Sequence, residues 1–255
     1  MVVPYIGITG VMGRSQAIFI SASALNLMPG SGRQIMMGVL ASSKTLAGQS
    51  NKYPHLYPPM KNLPEIFASD PRFLNLIHYS TDTPLLLREE IFKIIRLFKE
   101  RKNGLNGFQL NIPWPSISHL EDIKNAFPKL KFVLQIGPEA FEKAGHSPKK
   151  VRDMASDYMP FVDYFLLDKS AGFNKPLDAE ALRPYLRELS DLFIIGLGIA
   201  GGLGPDTLHL AEPLIQEFPD LSIDAQSALQ TNNALNANRS VEYIRQALKM
   251  YKKYE

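Results

Sequence analysis

The chain has 255 residues, 45% of them hydrophobic, which is enough for one large core and permits a barrel-sized single domain. Its 28 basic and 25 acidic side chains give a formal charge of +3 and are spread along the chain, which argues against nucleic acid or another polyanion as partner. The lack of cysteine excludes disulfides, thiolate metal sites and cysteine nucleophiles; with no signal-like N-terminus or membrane-length apolar run, a soluble, cytoplasmic protein is expected.

Tyr5–Thr9 is a short β-type run. Gly10–Gly13 interrupts it, and Ser15 is placed to cap a helix through Leu27 with Ile18, Ala22 and Leu25 among its apolar positions. Gln34–Ala41 is the second strand. The polar stretch Ser42–Met60 is too long for a mere connection and reads as a functional flap. Its Lys44, Lys52 and His55 are either ligand contacts or solvated loop groups. Leu74–Tyr79 is the third strand, and Pro84–Lys102 an amphipathic helix with Leu87, Ile91, Ile94, Ile95 and Phe98 on one stripe. Gly107–Asn111 gives the fourth strand and Ile117–Phe127 its helix. Phe132–Ile136 is the fifth, ended by Gly137 and Pro138 with helical sequence beyond. Asp163–Asp168 is the sixth, and Asp178 stands at the cap of a helix through Leu189. The stretch Phe193–Gly204 holds the seventh strand and then glycines at 196, 198, 201, 202 and 204, with Pro205 opening a helix through Phe218. Leu221–Ala225 and a helix over Ser240–Tyr254 make the eighth unit.

Eight strand–helix alternations predict a single (β/α)8 barrel domain spanning residues 1–255. In such a barrel the site lies at the C-terminal ends of the strands, and loops after strands 7 and 8 recur as a phosphate cradle. Gly201 and Gly202 occupy the first of these loops. Ser227 and Ala228 occupy the second, where a short extra helix is expected to supply further N–H donors. Asp168 ends an apolar strand, the position of a catalytic carboxylate. Gln109 and Asn111 alternate on strand 4 and so share a face, either as ligand contacts or as a polar layer closing the barrel; Asp224 on strand 8 poses the same choice. His78, Lys44 and Asp82 are the available bases, and Trp114 between two prolines either stacks on a ligand ring or packs its loop. The histidines show no i, i+4 pairing, no nucleotide fingerprint is present, and neither metal nor cofactor is expected.

These patches, in this order, resemble the phosphoribosylanthranilate isomerase family. The family's K-I-C-G-I-T is similar to Pro4 to Thr9, its V-Q-L-H to Phe108-Gln109-Leu110-Asn111, and its L-L-D to Leu166-Leu167-Asp168 with Leu177-Asp178 beyond. Its L-A-G-G-L is similar to Ile199-Ala200-Gly201-Gly202-Leu203, and its D-x-S-S-G-x-E to Asp224 through Gln230. The resemblance implies an Amadori-type isomerase with Asp168 as general acid and a phosphorylated sugar as substrate. It also places Ile6 where the family has its catalytic cysteine, Asn111 for a histidine, Ala228 for a glycine and Gln230 for a glutamate. The expected function is therefore a divergent, isomerase-type phosphosugar barrel. Another aldolase, epimerase or lyase reaction on a phosphosugar, or phosphosugar binding without turnover, are the alternatives.

Overall fold

The computed structural model describes residues 2–67, 70–99, 104–170, 176–192 and 194–254. Eight parallel strands, β1 (Tyr5–Thr9), β2 (Gln34–Ser42), β3 (Phe73–Ser80), β4 (Gly107–Leu110), β5 (Lys131–Ile136), β6 (Tyr164–Asp168), β7 (Gly196–Ala200) and β8 (Ser222–Ala225), close into one barrel in sequence order. Closure is made by β1 on β8. Ile6 pairs with Ile223 and Gly7 with Asp224, and the Tyr5 N–H donates to Ser222 Oγ at 3.0 Å.

The strands read as nearly unbroken apolar runs because both of their faces are buried. One face fills the lumen with Tyr5, Met36, Leu74, Leu76, Val133, Tyr164 and Leu166. The other, including Ile6, Ile8, Ile35, Phe108, Phe132, Phe165 and Ile223, packs under the helices. Each such side chain fully removed from water contributes roughly 1.5–3 kcal/mol, so this double layer dominates the stability of the fold.

Tyr164 plugs the N-terminal end of the lumen, where its ring meets Tyr5 edge-on at 5.1 Å and its hydroxyl donates to Val3 O at 2.6 Å. A Cβ on Gly196 would lie 2.3 Å from that ring, and one on Gly198 would lie 3.0 Å from Leu166. These two glycines therefore belong to β7 and make room for β6 side chains. The expectation that all five glycines of this stretch form the loop is corrected: the loop begins at Gly201. Phe193, where the run was expected to begin, lies outside the described residues, as do positions 100–102 at the end of the helix expected over 84–102.

Several helices differ from the sequence reading for identifiable reasons. The first, Arg14–Leu27, has Gly13 rather than Ser15 at its N-cap and buries Ala17, Ile20, Ser21 and Ala24. Its small-residue side lies on the barrel, leaving Ile18 51% exposed. The helix expected over 205–218 is split into a turn, a 3-10 segment Leu208–Ala211 and an α-helix Glu212–Glu217. Pro213 has no N–H for a bond to His209 O, so an α-helix can start there but cannot run through it. Further helices cover Leu87–Lys99, Ile117–Ala126, Ala179–Ser190 and Ala237–Tyr251. Asp178 caps the third of these by accepting from Ala181 N–H, and Asn236 caps the last.

Candidate functional site at the barrel mouth

At the C-terminal ends of the strands lies a cavity of 640 Å3. A hollow of 780 Å3 at the opposite end, lined by Val2, Phe73 and Lys131 among others, gathers no comparable set of polar side chains. Gln109, Asn111, Asp168, Asp224, Gly201, Gly202 and Ser227 all line the mouth cavity, so the structure brings together the residues singled out on strands 4, 6, 7 and 8. Ala228 does not line it. It lies just behind, where a Cβ on Gly204 would come within 2.8 Å of its methyl group, and so packs the two loops together.

The loop after β7 turns on Gly201 and Gly202, whose φ values of 121° and 61° are left-handed and suit glycine. Thr207 Oγ1 donates to Gly202 O at 2.6 Å and fixes the turn. The loop after β8 is a 3-10 segment, Ser227–Leu229, matching the short extra helix expected there. Among the described residues none accepts from the backbone N–H of Gly202, Leu203 or Gly204, and the first N–H groups of a 3-10 turn have no partner within it. Arg239 holds both loops from behind, donating through Nε to Ala228 O at 2.6 Å and contacting Asp206. The expectation of a full helix dipole beginning at Pro205 is not met, because the α-helix starts only at Glu212.

Asp168 is 8% exposed, and both of its oxygens act as acceptors. Oδ1 takes the Ser170 N–H at 2.9 Å and its hydroxyl at 2.6 Å, and Oδ2 takes Gln135 Nε2 at 3.0 Å. Gln135 Oε1 in turn accepts from Gln109 Nε2 at 3.1 Å, which also donates to Asn111 Oδ1 at 3.3 Å. The carboxylate thus orients two amides in series, and the buried Gln109 Oε1 is left without a hydrogen-bond partner. Gln135 and Ser170 were missed in the sequence. Gln135 sits on β5 as Asp168 does on β6, a polar residue near the end of an apolar strand, and the same logic would have found it.

Asp224 heads a second cluster. Thr9 Oγ1 lies 2.9 Å and 3.3 Å from its two oxygens and 3.3 Å from His78 Nδ1, while His78 Nε2 lies 3.4 Å from Met36 Sδ. Burial lifts the Asp224 carboxyl to about 7, with the Asp168 charge adding to the rise and the Thr9 hydrogen bond opposing it. Burial pushes His78 down to about 3. Strand register sets Asp168 beside Ala200 and Ala200 beside Asp224, so the two carboxyls project into the mouth from Cα positions roughly 10 Å apart.

The remaining candidates separate clearly. Lys52 and His55 reach the cavity from the flap, whereas Lys44 is held away by Asp82 at 3.1 Å. His78 is buried beneath the mouth. Trp114 packs its loop, donating to Ala140 O at 3.0 Å and lying against Tyr158. Ile6 is corrected most sharply: it belongs to the outer layer under the helices, while Tyr5, Gly7 and Thr9 face the lumen. The position aligned with the family's cysteine therefore does not face the cavity at all. Among the described residues no three His, Asp or Glu side chains gather as metal ligands, and no helix is long and apolar enough to cross a membrane.

Fold and mouth geometry together define a (β/α)8, or TIM, barrel whose polar groups converge at the C-terminal ends of its strands. No family model and no curated protein sequence matches the chain. Solved structures similar to it include N-acetylneuraminic acid synthetase from Leptospira borgpetersenii, 11% identical over 99% of this chain and 84% of that one, with a TM-score of 0.57. A chitinase catalytic domain from Pyrococcus furiosus is 11% identical over 99% and 98%, with a TM-score of 0.55. Tryptophan synthase from M. tuberculosis is 12% identical over 98% and 93%, with a TM-score of 0.54. Likeness at these identities shows the barrel fold alone.

Proposed function

We propose that the chain binds a phosphorylated sugar at the barrel mouth and that Asp168 transfers a proton in an isomerase-type reaction on it. The observation that carries this reading is the convergence, on one cavity, of two loops with unpartnered N–H groups and a carboxylate held by three hydrogen bonds. The loops suit a phosphate because backbone N–H groups bind it without a charged side chain. Gln109 Oε1 suits a hydroxyl, since a buried acceptor without a donor is unfavourable by about 1–3 kcal/mol until a ligand supplies one. A phosphosugar offers both groups on one molecule.

The likeness to phosphoribosylanthranilate isomerase supports the phosphate end and Asp168. It does not extend to that family's base, because Ile6 faces the helices. Calorimetric titration with ribose 5-phosphate tests the reading. Wild type is expected to bind it, and Ala228→Leu, which wedges apart the loops at Gly204, is expected to weaken binding at least about tenfold, or 1.4 kcal/mol. Absence of binding by the wild type overturns the proposal.

A further inference from the structure

Asp224, Thr9, His78 and Met36 form a chain that the phosphate reading does not use, and the barrel is built around it. A Cβ on Gly38 would lie 2.5 Å from His78 Nε2 and 2.6 Å from Thr9 Oγ1, and one on Gly7 would lie 2.8 Å from Asp224 Oδ1 and 2.7 Å from Met36. Two bare backbone positions on β1 and β2 thus open the space this chain occupies. Asp224 faces the cavity, and the other three lie behind it.

Counting protons along the chain decides its state. The Thr9 hydroxyl has one proton for two neighbours. If it donates to an ionised Asp224, His78 must place its proton on Nδ1 to donate to Thr9. The Nε2 lone pair then faces the Met36 sulfur at 3.4 Å, acceptor against acceptor. If instead Asp224 carries a proton and donates to Thr9, Thr9 donates to His78 Nδ1 and Nε2–H donates to the sulfur. With a neutral imidazole only this second order gives every link a donor and an acceptor; a doubly protonated His78 over an ionised Asp224 does so too, but burial opposes that cation. The titratable groups whose fields reach Asp224 are Asp168 on β6, Tyr5 on β1 and Tyr243 on the helix Ala237–Tyr251. None of them is a cation that would favour the ionised form; the Ala225 N–H does favour it, and is met by the carboxyl oxygen that carries no proton.

We propose that Asp224 is the second acid–base group of the mouth, a carboxylic acid whose proton is retained because His78, fixed by Met36, draws the Thr9 hydroxyl away from it. Thr9, His78 and Met36 are positioning residues, and Asp224 alone meets the substrate. Its catalytic use rests on the phosphosugar reading, but the proton order does not. In an isomerisation Asp168, whose oxygens both act as acceptors, takes a proton from a substrate carbon as the C–H bond breaks. Asp224 gives its own proton to the oxygen that gains charge, so an O–H bond breaks on Asp224 and one forms on the substrate. This first half leaves Asp168 protonated and Asp224 ionised, with total charge unchanged, and the Thr9 hydroxyl rotates to stabilise the new carboxylate. In the second half Asp168 returns its proton to the neighbouring carbon as Asp224 takes one from the substrate hydroxyl, which restores both groups. This assigns Asp168 the base role and Asp224 the acid role, the reverse of what the family resemblance implies for strand 6.

The ligand-free protein tests the proton order. Nitrogen-15 NMR of the His78 ring is expected to show the Nε2–H tautomer at about pH 5 to 6, below the ionisation of Asp224, and an Nδ1–H tautomer or a doubly protonated ring there overturns the proposal. Infrared spectra at pH 6 are expected to show a protonated carboxyl band that Asp224→Asn removes; its absence from the wild type also overturns it. Met36→Leu keeps the volume and removes only the acceptor for Nε2–H. It is expected to lower the pH at which the band disappears by about one unit, a tenfold change in proton affinity, and an unchanged midpoint overturns the role given to Met36. Ribose 5-phosphate titrated into the wild type separates the two ideas. Binding with the band present supports both, and failure to bind overturns the phosphosugar reading while leaving the proton order standing.

Discussion

Replacing Asp168 separates its structural from its chemical role. In Asp168→Asn the remaining oxygen keeps both Ser170 donors, but the new amide nitrogen faces Gln135 Nε2 where an acceptor stood. Gln135 must turn over to present Oε1, which brings its nitrogen against Gln109 Nε2, so Gln109 must turn as well, and Asn111 with it. The hydrogen bonds survive as neutral ones. Because bonds to charged groups are worth about 1.5–3 kcal/mol against about 0.5–1.5 for neutral ones, each of the three bonds weakens by about 1 kcal/mol, and the smaller cost of burying a neutral amide returns part of the sum, for a net loss of about 1–2 kcal/mol. Asp168→Ala removes the acceptor of all three bonds from Ser170 and Gln135, a loss of about 3–5 kcal/mol. At about 2–4 °C per kcal/mol for a chain of this size, thermal melts followed by circular dichroism should show the alanine variant melting several degrees below the asparagine one. Both should lack turnover of any phosphosugar that the wild type converts. Equal melting of the two variants would refute the amide relay, and equal turnover of wild type and Asp168→Asn would remove Asp168 from the chemistry.

Asp224 and His78 pull the pH dependence of stability in opposite directions. The folded protein holds the Asp224 proton up to about 7 against an ordinary 3.8, so this group's contribution, about 4 kcal/mol, is complete at low pH and is lost as pH rises between those values. His78 resists its proton down to about 3 against an ordinary 6.5, so its contribution is lost as pH falls through that interval. The two nearly cancel from about pH 4 to 6.5. Urea melts across that range should therefore show stability rising with pH in Asp224→Asn and falling with pH in His78→Gln; parallel profiles in the two variants contradict the assignment. Gly38→Ala should destabilise by about 1–3 kcal/mol through overpacking of His78 and Thr9, and a variant as stable as wild type would show that the space is not filled as described. Arg239→Met removes the donor to Ala228 O and an ion pair whose Asp206 partner is 73% exposed. Stability should change by less than about 1 kcal/mol, while ribose 5-phosphate should bind several-fold more weakly; unchanged affinity would separate Arg239 from the cradle.

The strands were legible because two buried faces make each of them an apolar run, and the break after the run fixed the end of every strand but the seventh within a residue or two. Asp178 was legible as a cap because a short acidic side chain before an apolar-periodic segment has few other uses. What the sequence did not show was which way each strand faces. A fully apolar strand has no alternation to read, so Ile6 was matched to a lumen position although its neighbours Tyr5 and Gly7 face inward. Gly196 and Gly198 were read as loop because their reason for being glycine, the Tyr164 and Leu166 side chains, lies on another strand. The carboxylates and amides of the mouth were visible as polar residues at strand ends. Their partners Thr9, Gln135 and Ser170 were not, since hydrogen-bond order between strands is a property of three dimensions.

The pairing of Ile6 with Ile223 has a bearing on how the protein is made. Until the last strand has left the ribosome, β1 and β7 each present an open edge of unpaired N–H and C=O groups, flanked by the most apolar surface in the molecule. Some 217 residues separate the Tyr5 N–H from the Ser222 oxygen that receives it. A nascent chain must therefore keep its first strand sheltered through nearly the whole of synthesis, and a fragment ending before residue 221 retains two complementary edges that can join to those of another molecule.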